Sequence, residues 1–481
     1  MNYAVIVRIL SWVLRTEGLL MLLPCLISLI FGEKQGAVYL ILGVTAMAAG
    51  WLLSRRKITN AAIYQREGFV AVGLSWLVLS LYGALPFMIT GEIPSYLDAI
   101  FEIVSGFTTT GSSILPDVEA LSHTSLFWRS FSHWVGGMGV LVFILMLVPS
   151  NSGGTQMNLM KAESPGPDVS KFVPRVRNTA IVLYRIYLAM TLLQILCLSI
   201  SGMNWFHNLC ITFGTAGTGG FGILNTSCAD YTPAQQWIIT FFMIAFGVNF
   251  GFYYLFLTRD YTDAFHMEEV RAYLGIILCS GLAIAWQIRS RFFTLEEALR
   301  AAFFQVGSIM TTTGFSTVDF DLWPSFSKSI LVMLMVVGAC AGSTGGGIKV
   351  SRVVIIWKSI KFELSHLLHP HGVQKIRMDG KIIAGKVLDS MFIYVAAYFL
   401  IFGLSVLIVS LDNFSFTTNF TAVAATLNNI GPGLDAVGPA RNYANYGILS
   451  KIVLIFDMLA GRLELLPILI LFYPKTWCDR T

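Results

Sequence analysis

The stretch SYLDAIFEIVSGFTTTGS at residues 95–112 decides the fold, because its pattern returns three more times along the chain. It begins with about three turns of amphipathic helix and ends in threonine and glycine. The related segments are NWFHNLCITFGTAGTGGFG at 204–222, TLEEALRAAFFQVGSIMTTTGFST at 294–317 and SFTTNFTAVAATLNNIGPG at 415–433. All four are too short or too polar to cross a bilayer, which takes about 20 mainly apolar helical residues.

Long apolar runs make up most of the remaining sequence. Of the 481 residues, 55% are hydrophobic and 12% are charged, which is about half the charged fraction of an average soluble domain. The ten candidate membrane spans are the runs near 9–31, 37–53, 68–90, 124–149, 180–203, 235–257, 272–288, 328–348, 384–410 and 447–473. The seven cysteines lack CxxC pairs and metal-ligand spacing, so neither a disulfide framework nor a zinc site is expected.

Each quoted segment lies between two of these runs, which indicates a four-fold internal repeat. The unit is a span, a short re-entrant helix, a glycine turn and a second span, and the turns end at Gly111, Gly219, Gly314 and Gly431. The predicted fold is an all-α integral membrane protein with two N-terminal spans and four pseudo-symmetric span–pore-helix–filter–span repeats around one pore. The predicted boundaries are 1–66 for the N-terminal two-span domain and 67–177, 178–270, 271–383 and 384–481 for the pore repeats.

Lysine and arginine are unevenly distributed between the two sets of connecting segments. If the spans alternate and the N-terminus is cytoplasmic, the cytoplasmic segments hold 20 of these residues and the outer segments hold 7. Because positively charged loops stay on the cytoplasmic side, both termini are predicted to be cytoplasmic and the glycine turns to lie on the outer side. The basic 349–386 segment is expected to lie at anionic lipid headgroups and also suits docking of a protein partner.

The four turns together suggest a chemistry that one turn alone would not. Non-helical backbone at membrane depth is tolerated only where protein or water surrounds it. Four such turns on one side can meet at an axis, where the partly negative C-terminal ends of the short helices point inward. Extended threonine–glycine backbone then presents carbonyl oxygens that replace the hydration shell of a potassium ion. The predicted potassium-binding residues are Thr109, Thr110, Gly111, Ala216, Gly217, Thr218, Gly219, Thr312, Thr313, Gly314, Asn429, Ile430 and Gly431.

A single TTTG would be more typical of a helix C-cap followed by a turn. Four copies at equivalent places in a repeat favour a selectivity filter instead. The second copy reads TAGTG at 215–219 and the fourth reads NNIGP at 428–432, so the ring is expected to be asymmetric.

The run near 328–348 contains GACAGSTGGG at 338–347. Each glycine in a helix interior lowers helix stability by up to about 1 kcal/mol relative to alanine. The three consecutive glycines at 345–347 therefore predict a break in this span. A packing patch of small residues would explain the same sequence. Arg462 lies inside the last run, and an intramembrane arginine usually faces protein or a water-filled cavity. Pairing with Asp457 or Glu464 on the same helix is the alternative.

Four motifs resemble those of a known family. They are SHWVGGMGV at 132–140, AESPGPDVSKFVPRVRNTA at 162–180, ACAGSTGGGIK at 339–349 and AGRLELLP at 460–467. On these residues the chain resembles the Trk/Ktr/HKT superfamily of potassium transporters over essentially its whole length. The two extra N-terminal spans make it most similar to the TrkH type.

The resemblance implies potassium uptake across the inner membrane by a homodimer with one pore per subunit. It also implies a cytoplasmic TrkA-like regulatory subunit that binds NAD(H) or ATP/ADP. Plant relatives that pass sodium tend to replace the first filter glycine with serine, so the glycines kept here favour potassium. By the same resemblance the glycine-rich segment is a mobile gate held by an arginine. The implied gate residues are Gly342, Ser343, Thr344, Gly345, Gly346, Gly347 and Arg462.

Other functions remain open at this point. A potassium symporter coupled to Na⁺ or H⁺, or a secondary solute transporter, would also contain broken helices, although the repeats here run in parallel rather than inverted. An enzyme is not expected, because no nucleophile, base and oxyanion site are arranged together. Asn249 is expected either to line the cavity or to bond between helices. His366, His369 and His371 suit a solvated loop better than a metal site, and no nucleic-acid partner is expected.

Overall fold

The computed structural model describes residues 1–55, 65–139, 176–370 and 375–477, which are mostly α-helical. The helices of the first part are α1 (Tyr3–Leu20), α2 (Leu22–Phe31), α3 (Gly36–Ser54), α4 (Gln65–Gly83), α5 (Leu85–Ile89), α6 (Tyr96–Phe107) and α7 (His123–Gly137). The middle part contains α8 (Val176–Ile200), α9 (Trp205–Gly217), α10 (Pro233–Phe246), α11 (Phe250–Leu257), α12 (Tyr261–His266), α13 (Glu268–Ile288), α14 (Leu295–Met310), α15 (Ser325–Val336) and α16 (Val350–Leu368). The last part contains the antiparallel hairpin of β1 (Arg377–Met378) and β2 (Lys381–Ile382), then α17 (Gly385–Val409), α18 (Phe416–Leu427), α19 (Ile448–Arg462) and α20 (Leu466–Phe472).

Six helical segments within the described ranges are long and apolar enough to cross a membrane. A seventh span results if α10 and α11, which meet at 89°, are counted as one. Three other predicted runs do not form a single long helix: α7 ends at Gly137, α15 at Val336 and α19 at Arg462. Residues 140–149 of the first of these runs lie outside the described part. The count of ten spans therefore stays a prediction.

Two of these helices, α7 and α19, pack closely against a short helix through a glycine near their last turn. A Cβ on Gly136 would lie 1.8 Å from the carbonyl oxygen of Phe107, and one on Gly461 would lie 2.0 Å from that of Leu427. In both cases a glycine lets the end of a longer helix approach the last carbonyl of a short one, because it has no side chain. The interrupted helices are thus packed against the ends of α6 and α18.

The four short helices α6, α9, α14 and α18 begin in the same way. Each follows a polar residue whose side chain accepts a hydrogen bond from an amide of the first turn, which satisfies a donor that the helix itself leaves unpaired. The capping residues are Ser95, Asn204, Thr294 and Ser415. The caps fix where each short helix starts, and thereby where its last carbonyls and the following loop lie.

Candidate functional site

The four short helices end in loops with one backbone geometry. In each, an amide donates to the carbonyl five residues earlier at 2.8 Å, and the preceding residue has a φ between 53° and 59°. The donating amides are those of Thr110, Gly219, Thr313 and Ile430. The residues with positive φ are Thr109, Thr218, Thr312 and Asn429. This left-handed conformation is uncommon for residues other than glycine, so its four-fold recurrence marks equivalent positions.

The next residue in each loop is a glycine with φ between 80° and 102°. These glycines are Gly111, Gly220, Gly314 and Gly431. The prediction that Gly219 is the equivalent glycine of the second loop is therefore wrong by one residue. Gly219 stands instead where the other loops have Thr110, Thr313 and Ile430. We call the equivalent triplets loop one (109–111), loop two (218–220), loop three (312–314) and loop four (429–431).

The four loops meet each other in a closed order. A Cβ on Gly111 would lie 2.1 Å from the carbonyl oxygen of Gly219, and one on Gly220 would lie 1.9 Å from that of Thr313. A Cβ on Gly314 would lie 2.0 Å from the carbonyl oxygen of Ile430. The circuit closes at loop four, where a Cβ on Gly431 would lie 2.7 Å from the oxygen of Thr110. Each glycine thus abuts a carbonyl of the next loop, and the four loops form a ring.

The carbonyl oxygens at these contacts can each accept a ligand. Within the described residues, no hydrogen bond is made to the carbonyl oxygens of Thr110, Gly219, Thr313 and Ile430. The side chains of the ring residues are fully buried. Buried carbonyl groups without a donor carry a large cost, and a cation that has shed its water would relieve it. The ring therefore suits an unhydrated monovalent cation.

Sequence-predicted residues Ala216 and Gly217 lie outside this ring. Both belong to the last turn of α9 rather than to loop two. The other predicted ring residues lie in the four triplets, together with Gly220, which the sequence pattern missed. The signal that could have found it is the pair of adjacent glycines at 219 and 220, which allows two alignments of the motif.

A buried ion pair supports loop one from behind. Arg129 and Glu102 side chains are 2% and 0% exposed, with their charged atoms 2.7 Å apart. Glu102 also accepts from the amide of Ile114 at 3.0 Å. Arg129 lies inside α7 and was missed as a functional residue in the sequence. Its position within an apolar run was the available signal, since such arginines usually face a partner.

The glycine-rich segment 337–349 lies directly against the ring. The helix breaks at Val336 as predicted, and the amide of Gly346 donates to the hydroxyl of Thr312 in loop three at 2.7 Å. A Cβ on Gly345 would lie 2.9 Å from the carbonyl oxygen of Thr311. Residues 344–346 are buried whereas Gly342 is exposed. The segment therefore packs beside loops three and four, where a Cβ on Gly346 would lie 2.6 Å from the carbonyl oxygen of Asn428.

Arg462 binds this segment through its backbone. Its guanidinium donates to the carbonyl of Thr344 at 2.8 Å and to that of Gly137 at 2.7 Å, and it also bonds the carbonyl of Gly136. The alternative of pairing on its own helix is not what the structure has. Glu464 pairs with Arg352, and Asp457 accepts from Ser405 at 2.7 Å. Arg462 thus links the segment to the end of α7.

A carboxylate links the same segment to the first turn of α16. One oxygen of Glu269 accepts from the amide of Ala341 at 2.6 Å and from that of Ser351 at 3.0 Å. The residue is 4% exposed. Glu269, the second residue of α13, has several charged neighbours in the sequence and looks there like part of a solvated helix end, so sequence reasoning missed it. Its position under the segment is a long-range feature.

Two other features singled out in the sequence are Asn249 and the histidine cluster at 366–371. Asn249 caps α11, and its side-chain oxygen accepts from Gly251 at 2.8 Å, next to Gly342. His366 and His369 are at the end of α16 and His371 lies outside the described residues. Among the described residues no group of His, Cys, Asp and Glu side chains could hold a metal ion.

An acidic side chain, Asp435, follows loop four. Asp435 is exposed and accepts from the hydroxyl of Thr418 at 2.8 Å, with a second bond from Ser415. The hydrogen bond from Ser415, followed by that from Thr418, lowers the pKa of Asp435. The carboxylate therefore stays ionised and secures the start of α18, which carries loop four.

Known proteins share this sequence and architecture. The TrkH family, described as cation transport proteins, matches residues 37–277 and 292–478. The Trk system potassium uptake protein TrkH of Salmonella typhimurium is 35% identical over 99% of this chain and 100% of its own length. TrkG of Escherichia coli, another Trk system potassium uptake protein, is 29% identical over 96% of both chains. The crystal structure of the potassium transporter TrkH from Vibrio parahaemolyticus superposes with a TM-score of 0.89 at 31% identity, covering 99% of this chain and 100% of that one.

Proposed function

This chain belongs to the TrkH family of cation transport proteins, and from that premise we propose that it carries potassium into the cell through the ring of loops one to four. The observation that supports this most is the closed order of the ring, in which each glycine abuts an unbonded carbonyl of the next loop. The names of its relatives as potassium uptake proteins support the choice of ion.

The ring residues are the proposed potassium ligands. Their carbonyl oxygens would replace the water that the ion gives up, and a ring packed this tightly resists closing further around a smaller ion. The proposed set is Thr109, Thr110, Gly111, Thr218, Gly219, Gly220, Thr312, Thr313, Gly314, Asn429, Ile430 and Gly431. Potassium is cargo here and not a resident cofactor.

Segment 337–349 is the proposed gate. It touches loop three through Thr312 and is held by Arg462 from one side and by Glu269 from another. Opening would require the bonds from Arg462 to be exchanged for other partners, while the charge of Arg462 beside the path would repel a cation as long as it stays in place. Flux would therefore depend on how often the segment leaves the ring.

The membrane, topology and subunit composition of the transporter are proposed from the sequence and the family resemblance. The distribution of lysine and arginine supports a membrane protein with both termini in the cytoplasm. The four related sequence segments support four pore repeats after two N-terminal spans, and the family resemblance supports the inner membrane. The family resemblance supports a homodimer and a cytoplasmic TrkA-like subunit that binds NAD(H) or ATP/ADP. Coupling of uptake to Na⁺ or H⁺ is the competing mechanism, and uptake that persists without either gradient would exclude it.

The direct test is growth of potassium-uptake-deficient cells on low-potassium medium. The wild-type gene should restore growth, and Gly314→Ser should not, because a Cβ there meets the carbonyl of Ile430. Equal growth of the two would count against the ring as the potassium path. Equal membrane levels of both proteins, measured by immunoblot, are the necessary control.

A further inference from the structure

Loop two lacks side chains that the other loops have. Gly219 occupies the backbone position of Thr110, Thr313 and Ile430, and Gly217 occupies that of Thr108, Thr311 and Asn428. In loops one and three the two threonines at these positions bond each other through their hydroxyls, at 2.7 Å in both cases. Such a pair braces the turn from within. Loop two cannot form it.

His133 of α7 fills both gaps. A Cβ on Gly219 would lie 2.2 Å from the imidazole ring, and a Cβ on Gly217 would lie 2.2 Å from the carbonyl oxygen of His133. The histidine is fully buried. The imidazole therefore occupies the volume that a side chain at 219 would take, and the main chain of α7 occupies the volume at 217. Because interiors are close-packed, Gly219 and the imidazole fit only together.

The imidazole also ties loop two to the helix that carries loop one. Nδ1 lies 2.7 Å from the carbonyl oxygen of Gly106 in α6, and Nε2 lies 3.2 Å from the amide nitrogen of Phe221. A carbonyl only accepts and an amide only donates, so Nδ1 carries the proton and Nε2 accepts. Both nitrogen atoms of the neutral ring are thus hydrogen-bonded. One bond goes to α6, which carries loop one, and the other goes to Phe221, which follows loop two.

We propose that His133 is a positioning residue that sets the geometry of loop two against loop one and thereby contributes to the discrimination between potassium and sodium. The inference rests on the proposed potassium pathway. His133 does not touch the ion in this account. Its imidazole replaces the side chain missing at 219 and thereby fixes how far the carbonyl of Gly219 stands from Gly111. A Cβ on Gly111 would lie 2.1 Å from that carbonyl oxygen.

The test is the ratio of potassium to sodium permeability in purified protein reconstituted into liposomes. His133→Ala should lower the ratio by about tenfold, which corresponds to the loss of roughly one to two hydrogen bonds, while flux is retained. His133→Gln, which keeps one donor and one acceptor, should recover part of the ratio. Gly219→Thr should abolish flux because the new side chain meets the imidazole. The double variant His133→Ala/Gly219→Thr should regain flux and part of the ratio, since the threonine enters the space that the ring has left.

Three outcomes would overturn the inference. They are an unchanged ratio in folded His133→Ala, a double variant no better than Gly219→Thr, and loss of stability without any change in ratio. If His133→Ala does not fold, the comparison of Gly219→Thr with the double variant decides alone. A wild-type protein that passes no potassium would instead overturn the proposed function. Wild-type selectivity that survives in every His133 variant would overturn only the role of this histidine.

Discussion

The hydroxyl oxygen of Thr312 accepts a hydrogen bond of 2.7 Å from the amide of Gly346. This bond joins loop three of the ring to the glycine-rich segment 337–349, so the candidate filter and the candidate gate are in direct contact. The equivalent hydroxyl of loop two bonds its own backbone, and that of Thr109 in loop one has no partner among the described residues. Among the threonines at this position, contact with the segment through the hydroxyl is thus a property of loop three.

Replacing Thr312 by valine should loosen the gate. The change keeps the shape of the side chain but leaves the buried amide of Gly346 unpaired, which costs about 1–3 kcal/mol in the closed arrangement. We expect higher potassium flux, measured as rubidium uptake into proteoliposomes. Thr312→Ser retains the acceptor and is the matched control. Equal flux from the valine and serine variants would show that the hydrogen bond between Thr312 and Gly346 does not control gating.

Removing the guanidinium of Arg462 should also raise flux. Its bonds to the carbonyls of Thr344 and Gly137 are charge-assisted and stronger than neutral ones. Arg462→Ala is expected to increase potassium flux through the purified protein, and Arg462→Lys should fall between because a lysine cannot reach all of these carbonyls at once. Flux that does not change in the alanine variant would remove this arginine from the gate.

The carboxylate of Glu269 should prove to be a support that links segment 337–349 to the start of α16. Glu269→Ala leaves the amides of Ala341 and Ser351 without their acceptor, at about 1–3 kcal/mol each. Glu269→Gln keeps a side-chain oxygen and should be milder. Thermal unfolding and rubidium uptake, followed together, should both change more in the alanine variant. Two variants that behave alike would contradict the assigned contacts.

The ion pair of Arg129 and Glu102 gives a prediction about stability. Arg129→Met leaves a buried carboxylate without its cation, which typically costs about 3–5 kcal/mol. Adding Glu102→Gln removes the uncompensated charge and should restore part of the loss. The measurement is the unfolding temperature in detergent for both single variants and the double variant. Additive effects would mean that the pair does not act as a unit.

Local sequence signals were enough to find the repeated elements. Each quoted segment begins at the residue that caps its short helix, because polar caps and amphipathic turns are read from nearby residues. The break after Val336 was likewise visible in the glycine-rich sequence. The family resemblance, rather than the residues themselves, pointed to contact between Arg462 and this segment.

Long-range packing decided the features that the sequence did not reveal. The second loop was aligned one residue early because TAGTGG offers two glycines. The hydrogen bond from Gly219 to the carbonyl of Gly214 and the positive φ of Gly220 tell them apart. The space at Gly219 is filled by His133 of α7, which is distant in the sequence. Arg129 lay in an apolar run, yet its partner Glu102 belongs to a different helix. Continuous apolar runs also concealed the bend between α10 and α11.

The ring itself is tested most directly by the potassium-to-sodium permeability ratio of alanine variants at Gly111, Gly220, Gly314 and Gly431. Gly202→Ala is the matched control, because Gly202 also has a positive φ of 79° but nothing lies within 4 Å of its would-be Cβ. We predict that each of the four ring variants loses the preference for potassium or loses flux, while Gly202→Ala keeps both. Ring variants that match the control in ratio and flux would contradict a cation path through the four loops.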